Sequence, residues 1–266
     1  MIRILVAIIV AIPFLSPAQA ETRSFCDKDI TICTAHLEGA ISTADVSAFR
    51  DIATKVAAHS ANSQRPLLVD LNSKGGDIRS AMEIGKILRQ IPISVAIVSS
   101  DDVCESACVF VLAGASARSV RGKIGIHRPY STTTAITQYQ DRQREFTKLG
   151  REIKDFLDQM NIPASLYDEI MRIPPEKIKF LSKDELQRFG LAQNDPAFQD
   201  SIDSDNARSY GLSKTEYLTR KAQAYNICLV HTAWAWRAAK TMEERQQALA
   251  LDQKCEQEVI SGARKN

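Results

Sequence analysis

Short apolar runs that end at turn residues, with an apolar stripe at helical spacing between one run and the next, leave this chain few folds. Leu67-Leu-Val-Asp-Leu71 is one such run, and Asn72-Ser-Lys-Gly-Gly76 closes it as a buried strand entering a tight turn. Ahead of it, Ser42-Thr-Ala-Asp45 has the form of a helix start, and Val46, Phe49, Ile52 and Val56 follow as one stripe. Behind it a helix is predicted over about 77–90, carrying Ile78, Ala81, Met82 and Leu88. Strands are predicted over 93–98 and 117–120, with a small apolar helix starting at Ser106 between them. Alternation at this pace implies right-handed crossovers and an α/β fold with a mainly parallel sheet.

Beyond Pro129 the pattern changes. Residues 131–134 read as a polar turn or edge. A long helix then reaches about Met160 with Phe146, Leu149, Ile153, Phe156 and Leu157 on one face. A shorter helix over 164–171 stops before Pro174-Pro175, and another starts at Ser182-Lys-Asp-Glu-Leu186 and ends at Gly190. Residues 196–212 are polar and without period, and are taken as a linker. From Ser213 to the end, helical patterns fold back near Lys240-Thr-Met242 as a hairpin, whose Tyr217, Tyr225, Trp234 and Trp236 are expected to pack on the main body or a neighbouring subunit.

Residues 1–20 have the form of a cleavable export signal: Arg3, an apolar stretch from Ile4 to Leu15, and a small-x-small ending at Ala18-Gln-Ala20. The apolar stretch is too short for a stable membrane span. A periplasmic or secreted location follows as an expectation, with 21–195 as the main domain. The formal net charge of +2 includes no basic tract that would draw nucleic acid.

Six cysteines in an exported chain favour disulfides. Folding the C-terminal hairpin at its midpoint sets Cys228 opposite Cys255. Cys26 and Cys33 can close a small loop. Cys104 and Cys108 flank Ser106 and either pair or stay as buried thiols; one helical turn would place their Cα atoms about 6 Å apart, within bridging range. A zinc site of Cys104, Cys108 and His127 is the weaker alternative, and no metal or other cofactor is expected.

Chemistry concentrates between residues 101 and 130. Ser106 stands at the start of an uncharged segment, Ala107-Cys-Val-Phe-Val-Leu-Ala113, and His127 ends the apolar run Ile124-Gly-Ile. A hydroxyl needs a base before it can attack an acyl carbon, and the developing oxyanion needs donors. The Ala107 N–H is one donor, and the side-chain-free backbone at Gly75-Gly76 offers a second. Taken singly, Ser106 is a helix cap, His127 a core histidine and Gly75-Gly76 an ordinary turn.

Together, Asn72-Ser-Lys-Gly-Gly76, Glu105-Ser-Ala107 and Gly125-Ile-His-Arg-Pro129 resemble the proteolytic subunit of the Clp protease, in which the turn reads Ser-Pro-Gly-Gly. Phe180-Leu-Ser-Lys-Asp-Glu-Leu186 and Phe189-Gly-Leu191 extend the likeness, which covers roughly residues 30–195. The resemblance implies a crotonase-like spiral of ββα units with a helical handle at about 133–173. It also implies Ser106 as nucleophile, His127 as base, an oxyanion hole from the N–H groups of Gly76 and Ala107, and stacked rings of subunits. Peptides or unfolded proteins would be the substrate.

Two departures stand out. The position that matches the family's triad acid is Ile178, with Glu176 nearby but out of register, and Lys74 replaces the turn's proline. Asp168 and Asp184 lie farther away along the chain. The cytosolic family works with an ATP-driven unfoldase, whereas an exported chain has no ATP supply, so no ATPase partner is expected. The first expectation is therefore an exported serine peptidase acting through a Ser106 acyl-enzyme. The alternative, motivated by Ile178, is a weak or inactive Clp-like peptide-binding or assembly module of the envelope. A crotonase-type acyl-thioester enzyme ranks last, since an exported chain does not meet coenzyme A.

Overall fold

A computed structural model of the chain describes residues 21–26, 32–58, 66–130 and 139–264. The export-signal segment 1–20, the 131–134 turn and the start of the proposed handle lie outside the described residues. No helix among those described is long and apolar enough to cross a membrane.

The chain divides into two compact units, Met1–Asp195 and Pro196–Asn266. In the first, β1 (Glu21–Phe25) pairs antiparallel with β2 (Cys33–Ile41), and α1 (Thr43–Ala58) follows. The helix start at 42–45 forms as read: the backbone N–H and hydroxyl of Ser42 both donate to Asp45 at 2.9 Å. Val46, Phe49, Ile52 and Val56 are buried, each stabilising the fold by roughly 1.5–3 kcal/mol. Next come β3 (Leu67–Gly76), α2 (Ile78–Gln90), β4 (Ser94–Val98), β5 (Val103–Glu105) and α3 (Cys108–Gly114). The domain continues through β6 (Ala117–Val120), β7 (Lys123–Ile126), α4 (Tyr139–Gln159), α5 (Ser165–Arg172), β8 (Lys179–Phe180) and α6 (Lys183–Arg188).

Long β3 organises the layers. Its first half, Leu67–Asp70, runs parallel to β4, which in turn pairs with β6. Its far end pairs Ser73 with Cys104 of β5, and β5 pairs parallel with β7. Each ββα turn thus adds one strand to either branch of the sheet, so the chain climbs as a spiral. The helices α2 and α3 cross where Gly85 meets Gly114; a Cβ built on Gly114 would lie 2.3 Å from the Gly85 Cα. Phe156 of α4 lies edge-on to Phe110 of α3, with ring centroids 5.8 Å apart.

Ile153, Phe156, Leu157 and Met160 are buried within their own domain. The domain closes at Asp195, fully buried, whose carboxylate takes Arg89 at 2.8 Å and Asn161 at 3.0 Å. Arg118 beside it donates to the carbonyls of Leu112, Ala113 and Gly190, and burial lowers its pKa to about 10.

The second unit corrects the linker assignment. Residues 196–209 form α7 (Pro196–Ser209), followed by α8 (Lys214–Ala238) and α9 (Met242–Ser261). Segment 196–212 has no apolar stripe because its helix is held largely by polar pairing: Asp203 with Lys221 at 2.7 Å and Asp200 with Lys214, while Ala207 docks near Tyr217. Proline at the first helical position needs no N–H partner. Tyr217 is buried in this unit and stacks on Tyr210, whereas Tyr225, Trp234 and Trp236 are exposed. All three cysteine pairs, Cys26–Cys33, Cys104–Cys108 and Cys228–Cys255, are within bonding distance.

Candidate active site

Ser106 sits on a sharp strand-to-helix turn rather than in a helix. Strand β5 is held on both sides, Cys104 partnering Ser73 and Ile124, and Glu105 partnering Gly125. The chain then reverses, with the Ser106 N–H donating to Gly125 O at 2.8 Å and φ of Ser106 at 54°. A non-glycine residue in the left-handed region costs roughly 1–2 kcal/mol and persists only where its surroundings hold it. Helix α3 begins at Cys108, two residues later than expected, and Ala107 at its cap has φ −59° with no side-chain cap bond. Ser106 is half-buried at this turn. Ala107 is fully buried, and its N–H has no acceptor among the described residues. Buried amides are rarely left unpaired, and this one is free to donate to an incoming oxygen.

Of the two glycines, Gly75 is the one whose α-carbon abuts Ser106. A Cβ built on it would lie 2.7 Å from the Ser106 Cβ and 3.0 Å from the Ala107 nitrogen, and its φ is +103°. Gly76 has its α-carbon against β2, where a built Cβ would meet the Ile41 oxygen at 2.3 Å; the amide that bonds Ile41 O is that of Asp77, so the Gly76 N–H points away from β2. Adjacent residues of an extended strand face opposite sides, and the register pairs Gly76 with Ile41. The Gly75 N–H donates to the Ser73 hydroxyl at 3.1 Å, and that hydroxyl donates to Gly39 O. Ser73 thereby locks the turn, a role missed in the sequence although serine two residues before a glycine is a recurrent turn signal. Lys74 is exposed.

His127, one residue past β7, is buried, with 9% of its surface exposed. Ser106, Ala107 and His127 line one cleft, whose remaining walls are apolar and include Ile78, Phe110, Ile126 and Ile170. The hydroxyl and the imidazole share this cleft without a hydrogen bond between them, a separation common in unliganded sites. His127 Nδ1 lies 3.0 Å from Arg128 O. With the proton assigned to Nδ1, the carbonyl accepts it and Nε2 keeps its lone pair for the base.

No carboxylate stands behind that imidazole among the described residues. Glu176 is exposed and forms no ion pair with His127, so the suggested third member is not brought to the site; Asp168 and Asp184 make no contact with it either. The reason is register. Strand β7 pairs antiparallel with β8, Gly125 with Phe180 and Ile126 with Lys179, and continuing that register one step past the paired residues would set Ile178 across from His127. Ile178 Cγ2 lies 2.8 Å from a Cβ built on Gly125, on the same face. The short strand β8 is pinned by Lys179, whose ammonium reaches Glu169 of α5 and Glu185 of α6, both at 2.6 Å. Lys179, and then the Ser182 N–H, hold the Glu185 carboxyl down at about 2.

The zinc alternative loses its ligands, since Cys104 and Cys108 are bonded to each other. A family described as Clp protease matches residues 37–194. A ClpP1 point mutant from Listeria monocytogenes superposes with a TM-score of 0.45 at 15% identity, over 60% of this chain and 88% of that one. No curated protein matches.

Proposed function

The chain belongs to the Clp protease family, and from that premise we propose an exported serine peptidase that cleaves peptides or loosely folded proteins through an acyl-enzyme on Ser106. The observation that carries this reading is the left-handed Ser106 placed between an unpaired buried amide and a histidine in one apolar cleft.

The chemistry follows from those positions. Nε2 of His127 takes the hydroxyl proton as Ser106 Oγ attacks the scissile carbonyl, with Nδ1–H held by Arg128 O. The Ala107 N–H stabilises the oxyanion, with the Gly76 N–H, which faces away from β2, as the second donor. Protonated His127 passes its proton to the leaving amine, and water then resolves the ester by the same route in reverse. The apolar walls suit an apolar side chain next to the cleaved bond. A neutral carbonyl orients the imidazole but balances its positive charge less well than a carboxylate, so turnover is expected to be slow.

Export is supported by residues 1–20 and by three disulfides, which persist in an oxidising compartment. Outside the cytoplasm no ATP-driven partner is available, and none is required for loosely folded substrates. Members of the family are typically oligomeric, and a homo-oligomer is proposed here on that ground alone. The competing reading, a peptide-binding module without turnover, rests on Ile178 standing where the acid would be. Hydrolysis of a fluorogenic peptide with an apolar residue before the cleaved bond separates the two. The peptidase reading expects slow turnover that vanishes in both Ser106→Ala and His127→Ala, and binding without cleavage by the unaltered protein would sink it.

A further inference from the structure

We propose that the Cys104–Cys108 disulfide is a positioning device for the nucleophile: it bridges the residues on either side of Ser106 and holds the left-handed turn in place. The inference rests on Ser106 being the reactive group. The bridge spans four residues with a Cα–Cα distance of 5.2 Å, joining the middle of β5 to the first residue of α3. Both cysteines are fully buried. The strained residue lies inside the ring they close, at φ 54°.

Other restraints on this turn are non-covalent: β3 and β7 grip β5, and the Ser106 carbonyl accepts from the Val109 N–H at 3.2 Å. Strand β5 is only three residues long, and α3 has no side-chain cap to fix where it begins. Gly75 keeps space open beside Ser106 but supplies no bond to it. One hydrogen bond, Ser106 N–H to Gly125 O, ties the residue to the sheet. Without the sulfur bridge, nothing covalent opposes relaxation of residue 106 toward an ordinary negative φ. Relaxation would swing the hydroxyl away from the cleft and the Ala107 amide with it. A ring this short removes little freedom from the unfolded chain, so its effect is expected to be local rather than global. By contrast, Cys228–Cys255 closes a longer loop, over a sequence separation of 27, within the other unit.

The test compares the intact protein with a Cys104→Ala/Cys108→Ala double variant, using Cys228→Ala/Cys255→Ala as control. Two readouts are taken below the melting temperature of every form: the second-order rate of fluorophosphonate labelling across pH, and hydrogen exchange of the Ser106 amide. A positioning role predicts labelling at least tenfold slower in the first double variant, with the shape of the pH profile kept because His127 is untouched. It also predicts exchange of the Ser106 amide at least tenfold faster, and neither change in the control. A bridge that only stabilises the fold would lower the melting temperature and leave both rates alone, which would overturn the proposal. Should the intact protein fail to label at all, the nucleophile reading falls by itself. The exchange rate still decides whether the bridge holds the turn, and unchanged exchange refutes it.

Discussion

Replacing Ile178 by aspartate should turn a slow peptidase into a faster one. Continuing the β7–β8 register one step past its last pair, Ile126 with Lys179, would set residue 178 across from His127, where facing Cβ atoms lie about 5 Å apart. A carboxylate at that range stabilises an imidazolium by about 3 kcal/mol at an effective dielectric of about 20, and by less than about 1 kcal/mol in bulk water. Ile178 is 40% exposed, so the gain should fall between those limits, about 1–2.5 kcal/mol. That converts to roughly 5- to 60-fold in kcat. It is well short of the roughly 10⁴-fold that removing the acid costs a buried triad, because that acid is shielded from water. Losing the buried part of the isoleucine should cost about 1 kcal/mol of stability. The assay is fluorogenic peptide hydrolysis as a function of pH, with Ile178→Asn as the uncharged control. A negative charge opposite the imidazole favours its protonated form, so the acid limb of the profile should move to higher pH in the aspartate variant alone. If Ile178→Asp stays folded and leaves both kcat and that limb unchanged, residue 178 does not face the base, and the account of the missing acid is wrong.

Gly75→Ala should abolish activity and cost about 2 kcal/mol or more, since the new Cβ would press on Ser106 and Ala107 at a left-handed φ; thermal melting and peptide hydrolysis check both parts. The Glu185 carboxyl, held at about 2 by Lys179 and Ser182, contributes stability that is complete above the usual carboxylate range and lost as pH falls from about 4 through about 2. Glu185→Gln should therefore melt lower than the unaltered protein at neutral pH, and the difference should vanish near pH 2. Cys228→Ala/Cys255→Ala should destabilise the 196–266 unit by about 3–4 kcal/mol through loop closure, read as an earlier urea transition of that unit.

What was legible in the sequence was what local pattern controls. Val46, Phe49, Ile52 and Val56 declare a buried helical face by spacing alone, and Leu67–Gly76 reads as a strand running into a glycine turn. The site residues Ser106, Ala107 and His127 were also nameable, and the fold brings them to one cleft. Features set by partners far along the chain were hidden. Gly75 and Gly76 are identical as letters; only their contacts across the sheet tell that the α-carbon of Gly75 abuts Ser106 and that of Gly76 abuts Ile41. The turn conformation of Ser106 depends on β5 being gripped by β3 and β7, so a hydrophobic run that reads as one helix starts two residues late. Glu176 looked close to the site by residue number, but the antiparallel step from Phe180 to Ile178 decides what His127 faces. Helix α7 escaped notice because charge pairs such as Asp203–Lys221 hold it, and charge pairs leave no apolar period.

The central claim is that the Ser106 hydroxyl is chemically activated. Fluorophosphonate treatment of the purified protein followed by peptide mapping addresses it at the level of one atom. The account predicts a single adduct on Ser106 that forms more slowly in His127→Ala and is absent from Ser106→Ala. An unmodified Ser106 after prolonged treatment of the folded, disulfide-intact protein, or an adduct on another residue, would contradict it.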